Sequence, residues 1–456
     1  MSGIVRTDAD DKENPGCGRC RNPGFLRLSL PARGKGEIRL NEKVKQLKNQ
    51  VIWFCILGYT VSYLCRTNLS VAMNDILDQF LISRSQAGLM STLYFWFYAG
   101  GQLVAGWLCT RKDPKLVVML GVTITTICNL GIGFANSYLA ILILWTLNGL
   151  ALAMFWPPIL QIATNWSEPE EYTKISILLN LPTTIGFLIA WAGLGALNSI
   201  VRWEWMFWLP AAVASVFGVF WMAKIHSSPQ RAGISYRPRM PVLTENQKME
   251  SVAQEPDKQS LLTCLMTGTM MAYGLIVIIQ GCTKESINLW APTLLQDVSG
   301  GESMLLVSAF TSLIPIFSTI GLLSTGYLVR HLKGEQERVM MILLVFGMLG
   351  GWFMVILRNS MLGVVTCIGL VLAVVYGVNT ILTTLLPLRF AYTGQSGALS
   401  SVFNFLSYVG ATLGGLVSGL IADHIGWRGV YWQWAILSTV AVLMLVLTRM
   451  IKKQVS

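Results

Sequence analysis

Hydrophobic positions along this chain gather into long runs, and polar positions into short breaks between them. Runs fall near residues 51–73, 86–108, 116–135, 137–162, 174–198, 205–225, 262–284, 303–327, 339–357, 361–388, 394–421 and 427–448. Each is about 20 residues or more, the length a helix needs to cross the hydrocarbon of a bilayer. The pattern predicts an all-α membrane protein with twelve transmembrane helices, numbered here as segments 1 to 12. The fourth, tenth and eleventh runs are long enough to tilt or to project beyond the bilayer. One long polar stretch, residues 226–260, interrupts the series, dividing it into six segments over 51–225 and six over 261–449. Residues 1–50 and 450–456 read as polar tails.

The halves match one another at an offset of 224 residues. Ser176 falls on Ser400, Asn180 on Asn404, Gly186 on Gly410, Gly195 on Gly419, Trp203 on Trp427 and Trp208 on Trp432. Coincidences at one offset through segments 5, 6, 11 and 12 indicate an internal repeat. Two parallel six-helix repeats flanking a site near the membrane midplane are similar to the major facilitator architecture. The glycines of GATLGGLVSG in segment 11 then read as close helix packing rather than a phosphate loop.

Composition agrees: 53% of residues are hydrophobic and 12% charged, and mean hydropathy is +0.56. The net charge of +11 is not a nucleic-acid footprint, because the basic residues follow the membrane pattern. Eleven of the 34 Lys and Arg precede residue 50. Others recur at alternate loops, at Arg111, Lys112 and Lys115, at Arg231 and Arg237, at Arg330 and Arg338, and at Arg449. The intervening loops hold little beyond Arg84, Arg202, Arg358 and Arg428. The positive-inside rule therefore places both termini and the 226–260 linker in the cytoplasm of a multi-pass cell-membrane protein. No apolar core of a cleaved signal peptide precedes segment 1. Cys17 and Cys20 form a single CGRC pair in the basic tail; without a second pair, no metal or cofactor is expected.

Two cations interrupt the apolar pattern. Arg66 lies late in segment 1 and Lys284 near the end of segment 7, the same position counted in each half. A charge at bilayer depth costs about 2.5 to 3.5 kcal/mol on insertion scales, so it normally faces a watery cavity or a partner. Arg66 shares a helix face with Tyr59, Tyr63 and Ser70, and Asn68 lies off that face. Lys284 has Glu285 beside it and Asn288 a turn on, and Pro292 is expected to break the helix after Trp290. Two positive groups on equivalent helices form a clamp for a small anion. The plainer reading is that Arg66 pairs or snorkels and Lys284 marks the membrane interface. Glu285 is either a salt-bridge partner for Lys284 or a proton carrier.

YLCRTNLSVAM in segment 1, KESINLWAPTLL in segment 7 and FNFLSYVGATLGGLVSGLIADHIGWRG in segments 11 and 12 resemble the organophosphate:phosphate antiporters, the group of the glycerol-3-phosphate and hexose-6-phosphate transporters. The resemblance covers nearly all of residues 50–450. It implies that Arg66 is the phosphate-binding arginine of the first helix and that Lys284 stands in for a second arginine. It also implies that Tyr63, Tyr98 and Asn180 line the cavity. Thr183 and Gln102 replace a histidine and a lysine of the family, leaving fewer cations and favouring a less charged anion. The superfamily loop motif is degraded, with Cys109 and Val329 where aspartate is usual, and a cleaner relic carries Asp423. The resemblance also implies that segments 1, 4, 7 and 10 are central, which makes Trp156, Tyr376 and Asn379 cavity candidates, joined by Asn404 and Tyr408 of segment 11.

The expected function is secondary transport of a small organic anion, a phosphorylated metabolite exchanged for inorganic phosphate, by a monomer in the lipid bilayer. The alternatives are a proton- or sodium-coupled carboxylate symporter and a transporter-like sugar-phosphate sensor. No Walker pattern and no grouping of nucleophile, base and orienter points to an enzyme.

Overall fold

The structure is a computed structural model that describes residues 35–168, 171–234, 268–301, 303–332, 335–388 and 396–455. Cys17, Cys20 and the linker from residue 235 onward lie outside the described residues. Helices follow the predicted segments. In the first half α1 covers Lys35–Val71, continued by Met73–Phe80, α2 Arg84–Arg111 and α3 Pro114–Gly133. Helix α4 has two pieces, Tyr138–Leu152 and Trp156–Asn165. Helix α5 runs from Tyr172–Leu188 through a π-helical stretch, Ile189–Leu194, to Gly195–Asn198, and α6 covers Trp205–Lys224. In the second half α7 covers Gly268–Val298, α8 Met304–His331, α9 Gln336–Ile356 and α10 Met361–Thr380, extended by a π turn. Helices α11 and α12 cover Ser396–Ile425 and Trp427–Val455.

Hydropathy misplaces three boundaries. Helix α1 begins ahead of its apolar run and α12 continues past residue 450, because Lys, Glu, Gln and Leu are good helix formers in water as well as in lipid. Segment 7 needs the larger correction. Helix α7 passes unbroken through Pro292 to Val298, so Lys284 sits near its middle rather than at its end. The polar run that lowers its hydropathy is buried instead, with Ser286, Asn288 and Thr293 packed inside the bundle. Neighbouring helices tolerate a proline that removes one backbone donor in a membrane helix. Among the described residues nine helices are long and apolar enough to cross a membrane. Helices α1, α2 and α7 are long enough but more polar, and they carry the charged and aromatic residues described below.

The repeat is visible in the packing. Between halves, α2 packs on α11 and α5 on α8, contacts that interchange when each helix is replaced by its repeat partner. Gly419 lies where a Cβ would come 2.4 Å from the Arg84 carbonyl, and its equivalent Gly195 lies 2.4 Å from Ser308 on α8 in the same sense. A Cβ at Gly186 would run into Tyr63 on α1, and one at its equivalent Gly410 would come within 2.0 Å of the Ile278 carbonyl on α7. Small residues that let helix backbones meet supply much of the packing inside a bilayer. Gly410→Val is therefore expected to cost about 3 kcal/mol, the upper part of the range for overpacking. The check is the melting temperature of detergent-solubilised protein; an unchanged value contradicts the packing described.

Candidate functional site

Each cation is followed two residues later by a buried polar anchor. Asn68 donates to Asn129 Oδ1 at 2.7 Å and to the Met206 carbonyl at 3.0 Å, while Asn148 reaches back to the Cys65 carbonyl at 3.0 Å. In α7 Ser286 accepts from Trp434 Nε1 at 2.9 Å and pairs with Ser418 at 2.5 Å. Buried polar groups with satisfied bonds fix a single arrangement. The helix faces bearing Arg66 and Lys284 are thereby locked toward each other.

Between them lies one carboxylate. Arg66 Nη2 and Lys284 Nζ are both 3.4 Å from Glu285 Oε1, and Asn288 Nδ2 is 3.4 Å from Oε2. The Glu285 side chain is only 6% exposed, against 14% for Arg66 and 17% for Lys284, so solvent screens the cluster weakly. The three groups carry one net positive charge. Both cation contacts are longer than a tight charge-assisted hydrogen bond, which runs at about 2.7 to 2.9 Å. Coulomb attraction rather than close bonding holds the carboxylate, and another anion's oxygen can take its place.

Aromatic rings wall the cluster. The Arg66 guanidinium lies 5.4 Å from the Tyr63 ring, 5.8 Å from Tyr94, 5.1 Å from Phe95 and 5.3 Å from Tyr98. Lys284 lies 5.9 Å from the Tyr376 ring. Tyr98 meets Tyr408 across the halves at 5.5 Å. Trp156 packs on Tyr59 at 4.9 Å, one turn from Tyr63. A crevice beside Arg66 and Glu285 is lined by Thr67, Ser70, Ser91 and Asn288. Tyr94 also lines it, and its buried hydroxyl has no hydrogen-bond partner among the described residues. That hydroxyl is an unused donor next to the arginine.

Of the sequence-predicted residues, Arg66, Lys284, Glu285, Tyr63, Tyr98, Tyr376, Tyr408 and Trp156 come together here. Asn379 instead faces Ser407 at 3.5 Å, at the contact of α10 with α11. Asn180 and Asn404 are both exposed, and Asn404 donates back to Ser400 of its own helix at 3.1 Å. Tyr94 and Phe95 are the residues the sequence reading missed. The signal was the YFWFY run at 94–98, whose first and last tyrosines share one helix face.

Residues 55–415 match the family profile described as Major Facilitator Superfamily. The chain belongs to the Major Facilitator Superfamily. It is similar to the phosphoglycerate transporter protein of Salmonella typhimurium, 25% identical over 399 residues that cover 84% of this chain and 85% of that protein. It is also similar to a probable hexose phosphate transport protein of Chlamydia pneumoniae, 21% identical, with 89% and 92% covered. Among solved structures the nucleoside transporter NupG shares the fold, with a TM-score of 0.64 at 15% identity over 89% of this chain and 99% of that one.

In this major facilitator protein a polar latch joins the halves at the end of the bundle where α2 begins and α11 ends. Asp423, at the end of α11, accepts from the backbone N–H groups of Arg84 and Ser85 at 2.9 and 2.8 Å. It therefore sits at the positive N-terminus of α2. Arg84 in turn pairs with Asp297 at 2.8 Å, and Trp427 donates to the same carboxylate at 2.7 Å. Asn74 donates to Gln296 at 2.6 Å alongside. Asp423→Asn removes the charge from this cap and is expected to loosen the latch. A cysteine introduced at Ser70 in an otherwise cysteine-free chain should then react several-fold faster with an impermeant thiol reagent added on that face. An unchanged rate argues against a latch.

Proposed function

We propose that this protein is a secondary transporter that binds a small organic anion, a phosphorylated metabolite, between its halves and exchanges it for inorganic phosphate by alternating access. The observation that carries the reading is the meeting of Arg66 and Lys284, from equivalent helices of the two halves, at one carboxylate oxygen of Glu285. A phosphate oxygen has the charge and size to replace it. The unpartnered Tyr94 hydroxyl offers a further donor, and Tyr63, Tyr98, Tyr376 and Tyr408 enclose the ligand. Arg66 supplies a planar fork for two oxygens and Lys284 a point charge. The names of the two bacterial relatives, a phosphoglycerate and a hexose phosphate transporter, support a phosphorylated substrate. Because a site at the junction of two repeats is opened to either side by rocking them, binding and translocation are one motion. Both termini face the cytoplasm of the cell membrane in this reading.

Counterflow in proteoliposomes tests it. Vesicles preloaded with inorganic phosphate should take up a labelled phosphoglycerate or hexose phosphate, and empty vesicles should not. Uptake that ignores internal phosphate but requires an imposed proton or sodium gradient would replace exchange with ion-coupled symport.

A further inference from the structure

We infer that the crevice between the clamp and the latch is a subsite for the organic part of the substrate, a short, uncharged tail bearing hydroxyls, and that Ser91 sets its selectivity. This deepens, and rests on, the anion-exchange reading. The lining runs from the clamp toward the latch. Thr67 and Ser70 follow Arg66 along α1, Asn288 follows Lys284 along α7, and Ser91 of α2 completes the wall. The crevice has a volume of about 40 Å³, and a single water needs about 10 to 15 Å³. It therefore holds about three waters, or a hydroxylated carbon chain of the same bulk.

The walls suit such a chain on both counts. Leu69, Phe95 and Leu289 meet its C–H groups, while Thr67, Ser91 and Tyr94 offer hydroxyls to its oxygens. These hydroxyls differ in how far they are committed. Ser70 donates to the Thr67 carbonyl at 2.7 Å and accepts from Trp191 Nε1 at 3.0 Å, so its place is structural. Thr67 donates to the Tyr63 carbonyl at 2.8 Å and keeps an oxygen that can accept. The Tyr94 hydroxyl has no partner among the described residues, and Ser91, buried to 5% exposure, forms no hydrogen bond with any described residue. A buried hydroxyl left unpaired is costly, and a ligand hydroxyl that bonds Ser91 removes that cost. Charge sets the second limit. Among the described lining residues only Arg66 and Glu285 are charged. A carboxylate in the tail would lie beside Glu285 without a cation of its own, and an unpaired buried charge is strongly disfavoured.

Calorimetric titration of the purified full-length protein at one pH and salt concentration compares inorganic phosphate, glycerol 3-phosphate, propyl phosphate and phosphoglycerate. Propyl phosphate matches glycerol 3-phosphate in length and charge and lacks its hydroxyls. Wild type is expected to bind glycerol 3-phosphate roughly tenfold tighter than propyl phosphate, and Ser91→Ala to lose roughly three- to tenfold of the glycerol 3-phosphate affinity, the effect of one hydrogen bond. Inorganic phosphate and propyl phosphate, which leave Ser91 unused, should bind the variant as they bind wild type. Phosphoglycerate should bind wild type more weakly than glycerol 3-phosphate. Equal wild-type affinities for glycerol 3-phosphate and propyl phosphate, a Ser91→Ala loss shared by inorganic phosphate, or tighter binding of phosphoglycerate overturns this inference and leaves the exchange reading standing. Absence of inorganic phosphate binding in wild type overturns the exchange reading and this inference with it.

Discussion

Arg66→Ala is expected to abolish measurable anion transport while the protein inserts and folds normally. A hydrogen bond to a charged group contributes about 1.5 to 3 kcal/mol, so its loss alone weakens binding by roughly ten- to a hundredfold. The electrostatic loss adds to this. Removing one cation from the Arg66, Lys284 and Glu285 cluster brings its net charge to zero and leaves Glu285 free to neutralise Lys284. Folding is spared because the position of α1 is fixed by the buried Asn68 network rather than by Arg66. Arg66→Lys keeps the charge but loses the fork, and should leave a strongly impaired but detectable activity. Uptake of a labelled phosphorylated substrate and a binding titration check both variants. Near-normal uptake by Arg66→Ala contradicts the clamp.

The second large effect is at Lys284, and it separates a jaw from a structural counter-ion. Lys284→Gln should weaken phosphate binding by roughly ten- to a hundredfold, the value of one charged hydrogen bond. Lys284→Arg should preserve binding or tighten it. If the lysine served only to neutralise Glu285, the defect of Lys284→Gln would come from a buried carboxylate deprived of a partner, and removing that charge as well would cure it. The double variant Lys284→Gln with Glu285→Gln would then transport like wild type. The equal 3.4 Å distances of both cations from Glu285 predict the other outcome, a double variant that remains impaired because the anion meets Arg66 alone.

Much of this architecture was readable because lipid imposes its own periodicity: an uncharged run must span, and a charge inside one must be explained. Arg66 and Lys284 stood out for that reason, and Asn68, off the Arg66 face, turns to Asn129 and the Met206 carbonyl. The glycines at 186, 195, 410 and 419 were readable as a repeat, and their close approaches to neighbouring helices explain why no larger residue fits. The extent of α7 was not readable, because polar residues buried against other helices lower hydropathy just as residues in water do. Tyr94 and Phe95 were missed for a related reason, since an aromatic residue in a membrane helix looks the same whether it packs, faces lipid or walls a cavity. Asn180 and Asn404 illustrate the converse: their equivalence in the repeat marks common descent, and both are exposed.

The most direct test of the central claim is to locate an anion. Tungstate is a tetrahedral dianion similar to phosphate, and its heavy atom is visible by anomalous scattering in crystals of the protein. The account predicts one dominant tungsten peak between the Arg66 guanidinium and the Lys284 ammonium, beside the Tyr94 hydroxyl, lost in crystals of Arg66→Ala. A well-occupied peak elsewhere in the bundle, with the Arg66 and Lys284 contacts to Glu285 unchanged, would contradict it.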